Sequence, residues 1–275
     1  DYLNVLIQAG KSVKMFELDG TCININDRDS LALARYTDRA ANFPNYSRAL
    51  LVHANGDEQK IDFTLRRYYE LQLFDEIVLL LPGSNTCGPI AELDNVTTVI
   101  CPDSLKGIGE RISYGLQQLN HDILVVTEAD YLYPARDVEK LLLYLKEADI
   151  IVGSRTSRLL NEEGTDMRGF LRIFHTFIGN IMELLWWRGE SRFSDAGCSF
   201  RALWKTSRDV IAPHMKENGP EAMEEMLTIA LEQHLRVIEI PVSYSIKRKS
   251  SESGDLSFKK AASRLAYIIK RRLRS

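Results

Sequence analysis

Two rhythms of apolar and polar residues divide this chain. From Arg48 onward, short and almost continuously apolar runs alternate with longer stretches whose apolar residues recur every three or four positions. "RALLVHA", "DEIVLLLPG", "VTTVICP", "DILVVTEAD" and "DIIVGSR" read as strands. Between them, helices are expected around Glu58–Gln72, Ile108–Leu119 and "ARDVEKLLLYLKEA". Strands apolar on both faces and separated by helices predict a mostly parallel α/β sheet covered on both sides. After Arg158 the rhythm changes. "LLNEEGTD" reads as a loop, "MRGFLRIFHTFIGNIMELLWW" as a long helix, "CSFRALW" as a strand, "GPEAMEEMLTIALEQH" as a helix and "LRVIEIPVSYSIK" as a long strand. A polar loop, "KRKSSESGD", leads to the basic amphipathic helix "LSFKKAASRLAYIIKRRLR", with Phe258, Ala262, Leu265, Ile268 and Ile269 on one stripe and Lys and Arg opposite. The first 47 residues read as an extension. In it "SVKMFELDG" is a strand, "DRDSLALARYTDRAAN" a helix capped by Asp27 or Asp29, and "NFPNYS" a linker.

Composition bounds the function. A net charge of −3 gives no general affinity for nucleic acid. The charge is uneven: from Lys247 onward ten Lys and Arg face two acids, a balance of +8 that leaves −11 for the rest. A basic amphipathic end suits peripheral contact with an anionic membrane surface, or packing against the body or a second copy in a homo-oligomer. Cys22, Cys87, Cys101 and Cys198 lack metal-site spacing and fit a reducing, cytoplasmic compartment. No apolar run is long enough to span a bilayer, and no signal peptide is evident. A chain that begins with Asp rather than Met reads as a piece of something longer.

The chemistry is expected at the end of "DILVVTEAD". Side chains two apart on a strand share a face, so Glu128 and Asp130 point together where the strand stops. Ligands of parallel α/β sheets bind outside the carboxyl ends of the strands. Two carboxylates there repel unless a cation or hydrogen bonds hold them, and hard oxygen ligands suit Mg²⁺ or Mn²⁺ with diphosphate oxygens completing the shell. Read alone, the pair is also compatible with a capped turn.

Residues 48–260, over three quarters of the chain, resemble a family 2 glycosyltransferase of the GT-A fold, with closest likeness to polyprenyl- or dolichyl-phosphate sugar synthases. "LVHANGDEQKIDFTL" stands where that family has its first strand and turn, and "LKGIGERISYGL" resembles its Gly-rich segment and helix. "ILVVTEADYLYPARDVEKLL" resembles its D-x-D strand, with Glu128 for the first Asp, and "DIIVGSR" its Gly-Ser-Arg strand. "FSDAGCSFRAL" resembles the D-x-x-x-G-F-R-A segment, with Asp195 and Arg201 in register. "EEMLTIALEQHLRVIEIPVSYSIKRKSSESG" resembles the segment in which Glu225, Glu239 and Arg248 fall in register.

The resemblance implies a Rossmann-like GT-A domain over residues 48–254 and a C-terminal helix over 255–275. It also implies metal-dependent, inverting transfer of a sugar from a nucleoside-diphosphate sugar to a lipid phosphate or a glycan hydroxyl. Glu128 and Asp130 would hold Mg²⁺ or Mn²⁺, while His53, Ala54, Asp57, Leu81, Gly107, Glu128, Arg201 and Arg248 would line the donor site. Asp195 and Glu225 would be the catalytic acids, Asp195 as a base or orienter near the acceptor; a phosphate acceptor needs no base. Arg168 and Arg172, with Arg201, are candidate phosphate ligands, and Lys247 with Arg248 could stem a loop that closes over diphosphate. Trp186 and Trp187 read as a half-exposed core pair, and the histidines show no ligand spacing. The family's paired Asp after the second strand, which meets the nucleotide base, is Leu81-Pro82 here, and the Asn-Glu of its first turn is Gly56-Asp57. The alternative is therefore a glycosyltransferase-like binding module that has lost donor chemistry. A nucleotidyltransferase ranks last, because "HANGDEQK" is not a Gly-rich phosphate loop. Residues 1–47 are similar to the C-terminal end of a sugar-phosphate nucleotidyltransferase, through "FELDGTCININDRDSLALAR".

Overall fold

The structure, a computed structural model, describes residues 5, 7–11, 22–54, 57–83, 93–130, 132–156, 167, 169–186, 192–219, 221–244 and 258–274. Among the described residues, seven strands form one sheet: β1 (Arg48–His53), β2 (Glu76–Leu81), β3 (Val96–Ile100), β4 (Ile123–Glu128), β5 (Ile150–Ser154), β6 (Arg201–Trp204) and β7 (Val237–Pro241). Their order is β3-β2-β1-β4-β6-β5-β7. All neighbours are parallel except β6, which runs antiparallel to β4 and β5. β1, β4 and β5 are buried along nearly their whole length, which is why Val, Ile, Leu and Ala fill them up to their polar ends.

The helices are α1 (Arg28–Asn42), α2 (Glu58–Glu70), α3 (Ile108–Gln118), α4 (Val138–Leu145), α5 (Gly169–Leu185), α6 (Lys205–Ile211), α7 (Ala222–Glu232) and α8 (Phe258–Arg274). Asp27 caps α1, its side chain accepting from Ser30 N at 2.7 Å. Asp57 likewise caps α2.

The chain leaves β1 for β2 and β3 on one side, then returns to β4 on the other. That reversal opens a crevice between the carboxyl ends of β1 and β4. The register pairs the last residues of the two strands, His53 with Glu128.

Several expectations change. "NFPNYS" is no free linker: Phe43–Asn45 form a 3₁₀ turn, and Phe43 and Tyr46 pack edge-on against Trp204. The long strand expected around "LRVIEIPVSYSIK" is cut to Val237–Pro241, because β5 offers it only five partners. On α8, Ile268 faces the core but Ala262 and Ile269 are exposed, and Arg264 is buried instead. The cause is a buried acid on α7, described below. The expected strand "SVKMFELDG", the loop "LLNEEGTD" and the loop "KRKSSESGD" with Arg248 lie outside the described residues, as do Arg168 and Trp187.

α1 is tied to the sheet by Arg39, whose Nη2 meets Asp149 Oδ1 at 2.6 Å and whose Nη1 donates to Ala148 O at 2.8 Å. The guanidinium also lies 4.8 Å from the Trp204 ring centroid. A nearly buried, charge-assisted contact of this kind stabilises more than a surface pair. Arg39→Ala is expected to lower unfolding free energy by about 1–3 kcal/mol in urea titration; an unchanged midpoint would show that α1 does not dock.

Candidate active site

β4 delivers Glu128 to the crevice as its last residue, and Asp130 follows in the turn. The Asp130 carboxylate accepts from Leu132 N at 3.1 Å, which shapes the turn. Across the crevice, buried His53 places Nε2 3.5 Å from Glu128 Oε1 without forming a hydrogen bond. The Glu128 side chain is 32% exposed, so it lies between sheet and solvent. Burial would raise its pKa, but His53, Asp130 and Ser199 outweigh that and hold it well below the usual carboxylate range. Glu128 is therefore an anion at neutral pH.

A second group lies past β5. Arg155 clamps Asp195 with two prongs, Nε to Oδ2 at 2.7 Å and Nη2 to Oδ1 at 2.8 Å, and its backbone N–H donates to Oδ2 at 3.0 Å. His175 of α5 sets Nδ1 3.2 Å from Asp195 Oδ1. Asp195 is fully buried; burial would raise its pKa, yet Arg155 and His175 drive it below the ordinary range. Burial lowers His175 to about 3, so the ring is neutral. Glu239 of β7 accepts from Ser194 N at 2.7 Å and Asp195 N at 3.0 Å, fixing the turn that carries Asp195. Ser154, Thr156 and Ser194 link hydroxyls beside it.

Two tyrosines join the groups. Tyr133 Oη lies 3.4 Å from Ser199 Oγ and its ring packs on Phe200 and Tyr244. Arg155 lies 5.4 Å over the Tyr244 ring. Burial raises the Tyr244 hydroxyl to about 12, with Arg155 opposing and Asp130, Glu128 and Asp195 reinforcing. Tyr244 thus senses both the carboxylates and the arginine.

Several sequence-predicted roles are corrected. Arg201 cannot reach a donor: it is fully buried, and its Nε, Nη1 and Nη2 donate to the carbonyls of Cys198, Met223 and Ala196 at 2.7–2.8 Å. Leu81 is core, its carbonyl accepting from Cys101 N. Ala54 is buried, its N–H donating to Leu80 O. Asp57 is spent on its helix cap and on Lys60 at 3.0 Å. Gly107 caps α3 and is pressed against Asn218. Glu225 accepts from Lys216 N and Glu217 N at 2.9 and 2.8 Å; it organises that loop. Asp195, clamped and acidic, is a poor base and positions Arg155 instead. Arg172 is half-buried on α5, and Trp186 lies 5.7 Å under Arg272. Arg155 and His175 were missed as site residues. The signal for Arg155 was a cation directly after an all-apolar strand; His175 gave none.

No cluster of three or more His, Cys, Asp and Glu side chains able to hold a metal exists among the described residues. As a donor set, Glu128 and Asp130 are hard carboxylate oxygens, the chemistry that suits a cation of the Mg²⁺ type, which takes one or two carboxylates with phosphate oxygens and water.

The fold is the GT-A fold of glycosyltransferases. The likeness to family 2 glycosyltransferases read from the sequence is borne out by two comparisons. The low-salt glycan biosynthesis hexosyltransferase Agl6 of Haloferax volcanii is 25% identical over 201 residues, 70% of this chain and 46% of that protein. The chain thus spans about half the length of this curated relative. Glucosyl-3-phosphoglycerate synthase from Mycobacterium tuberculosis, in complex with Mn²⁺, UDP and phosphoglyceric acid, superposes with a TM-score of 0.61 at 12% identity, covering 86% of this chain and 82% of that one. The same synthase with Mg²⁺ and UDP gives 0.55 at 14% identity, over 93% and 87%. No family model matches the chain.

The buried histidine sets a pH dependence. Unfolded, His175 takes up a proton near pH 6.5; folded, only near 3. In that window the unfolded state binds more protons, so stability falls as pH drops. A loss of about 2–3 kcal/mol between pH 6.5 and 4.5 is expected. Urea midpoints for His175→Gln should be flatter across this range; an equal slope would exclude His175 as the titrating group.

Proposed function

We propose that the chain transfers a sugar from a nucleoside-diphosphate sugar to an anionic phosphate acceptor at the crevice between β1 and β4. The observation that carries this reading is the placement of ionised Glu128, with Asp130, at the topological switch of a GT-A sheet. Glu128 and Asp130 would hold Mg²⁺ or Mn²⁺, which supplies positive charge to the departing diphosphate. Arg155, fixed by Asp195 against Tyr244, adds a preorganised cation on the same side. His53 stands beside the Glu128 carboxylate at the strand end. In-line attack on the anomeric carbon would invert its configuration.

The arrangement of the acids supports this choice of acceptor. A hydroxyl needs a base, whereas Asp195 and Glu225 are both committed within the protein. A phosphate monoester is already anionic, so a lipid phosphate is favoured over a glycan hydroxyl. Calorimetric titration with UDP, GDP and CDP should find one diphosphate bound only with Mn²⁺ or Mg²⁺. Glu128→Gln with Asp130→Asn should weaken it by about a hundredfold or more, the loss of a charged pair of contacts. Absence of binding to any diphosphate would leave the fold as a binding module without donor chemistry.

Peripheral contact with an anionic membrane surface is part of the same reading. The outer face of α5 presents Ile173, Phe177 and Leu184, the last 68% exposed. On α8, which packs against α5, Ile269 and Leu273 are exposed beside Lys270, Arg272 and Arg274. Apolar side chains flanked by cations suit a headgroup boundary. The chain should sediment with phosphatidylglycerol vesicles and not with phosphatidylcholine alone. Phe177→Ser with Leu184→Ser should abolish this, and equal binding by that variant would remove α5 from the contact.

A further inference from the structure

Beneath the turn that carries Asp195 lies a second buried ion pair, assembled from α7 and α8. Glu224 of α7 has no exposed surface, and Arg264 of α8 is 9% exposed. Arg264 Nε donates to Glu224 Oε1 at 2.6 Å, and Nη2 lies against the same oxygen. Glu224 Oε2 has no hydrogen-bond partner among the described residues. As a device for stability alone this is poor, because apolar residues of similar volume often serve as well or better. Its third contact gives it another meaning. A Cβ built on Gly197 would overlap Arg264 Nη2 and come within 3.1 Å of Glu224 Oε1. The guanidinium therefore lies directly on the backbone of Gly197, two residues after Asp195 and two before Ser199.

The flanking carbonyls are held as well. Arg201 takes Ala196 O and Cys198 O at 2.7 Å each, and its Nη1 takes Met223 O at 2.8 Å, the residue preceding Glu224. Two buried arginines thus grip one turn and anchor it to α7. From above, the same turn presents Asp195 to Arg155 and Ser199 to Glu128 and Tyr133. Only Arg264 comes from the far end of the chain.

We propose that Arg264 is a positioning residue for the candidate site, with α8 holding residues 194–199 from below so that Asp195 fixes Arg155 and Ser199 meets Glu128. Gly197 has no side chain because the guanidinium fills the space. The inference rests on reading this turn as the floor of a nucleotide-sugar site, but its geometry can be tested without that reading.

The experiment follows hydrogen exchange of peptides covering 193–200, together with UDP affinity in the presence of Mn²⁺. The proteins are the wild type, Arg264→Lys, Glu224→Gln/Arg264→Met, Gly197→Ala, and Gly197→Ala placed in the Glu224→Gln/Arg264→Ala background. The Glu224→Gln/Arg264→Met variant should unfold cooperatively while exchange in this peptide rises about tenfold and UDP affinity falls about tenfold. Arg264→Lys should recover part of both losses. Gly197→Ala should loosen the turn in the wild type yet add nothing once Arg264 is Ala, because the clash has gone. A folded Glu224→Gln/Arg264→Met protein with wild-type exchange overturns the proposal, as does Gly197→Ala tolerated beside Arg264. Failure of the wild type to bind UDP would count against the transferase reading alone, and the exchange data and the Gly197 pairing would still decide the role of Arg264.

Discussion

A carboxylate with no access to water must be answered where it lies, and Asp195 is the case on which this site depends. Its desolvation is offset by the two-pronged Arg155, by that residue's own backbone N–H, and by a neutral imidazole. These partners come from the residue that follows β5 and from α5, while Glu239 of β7 fixes the turn itself. Three elements far apart in sequence are thereby locked at one point beyond the carboxyl edge of the sheet. Loss of any one would strand charge in the interior, so the arrangement is either kept whole or dismantled. What it delivers is a rigid cation against Tyr244, beside the carboxylates at the end of β4.

The sheet was legible because its signal is local. Continuous apolar runs such as "ALLV" and "ILVV" have only one comfortable place, a strand buried on both faces. The alternation with helices then specifies parallel pairing, and parallel pairing places Glu128 and Asp130 at a ligand edge. The cap of α1 was equally local, needing only an Asp before the first turn, whereas Asp57, read as a donor-site residue, caps α2. Register did the rest: once β1 and β4 align, His53 has to stand beside Glu128.

What stayed hidden were pairings across the chain. Arg201 matched a donor-site pattern in register but lies on the central antiparallel strand, where every guanidinium nitrogen is needed by a backbone carbonyl. Glu224 and Glu225 look like solvated acids of a helical face. α7 is instead buried on every side through Ala230, so each acid had to find a partner, one in Arg264 and the other in two loop N–H groups. Nothing within α8 announces that Arg264 points inward, because the cause lies 40 residues away. Periodicity reports the average face of a helix and is blind to a single compensated charge.

The buried acids Asp195, Glu224 and Glu239 at the turn, and Glu225 at the 216–217 loop, are each answered by protein groups. None is positioned to take a proton from an incoming hydroxyl, since doing so would first require breaking a buried ionic or backbone contact. Glu128 differs in kind. It keeps a third of its surface, and its nearest cation-capable neighbour, His53, stands 3.5 Å off without a hydrogen bond. Negative charge held open at a crevice attracts cations and repels anions, so an anionic donor or acceptor can approach only when a metal and Arg155 reverse the local sign. In the proposed reaction, the same electrostatics that commit Asp195 to Arg155 would call for a bound cation in the crevice and would favour an acceptor that arrives already charged.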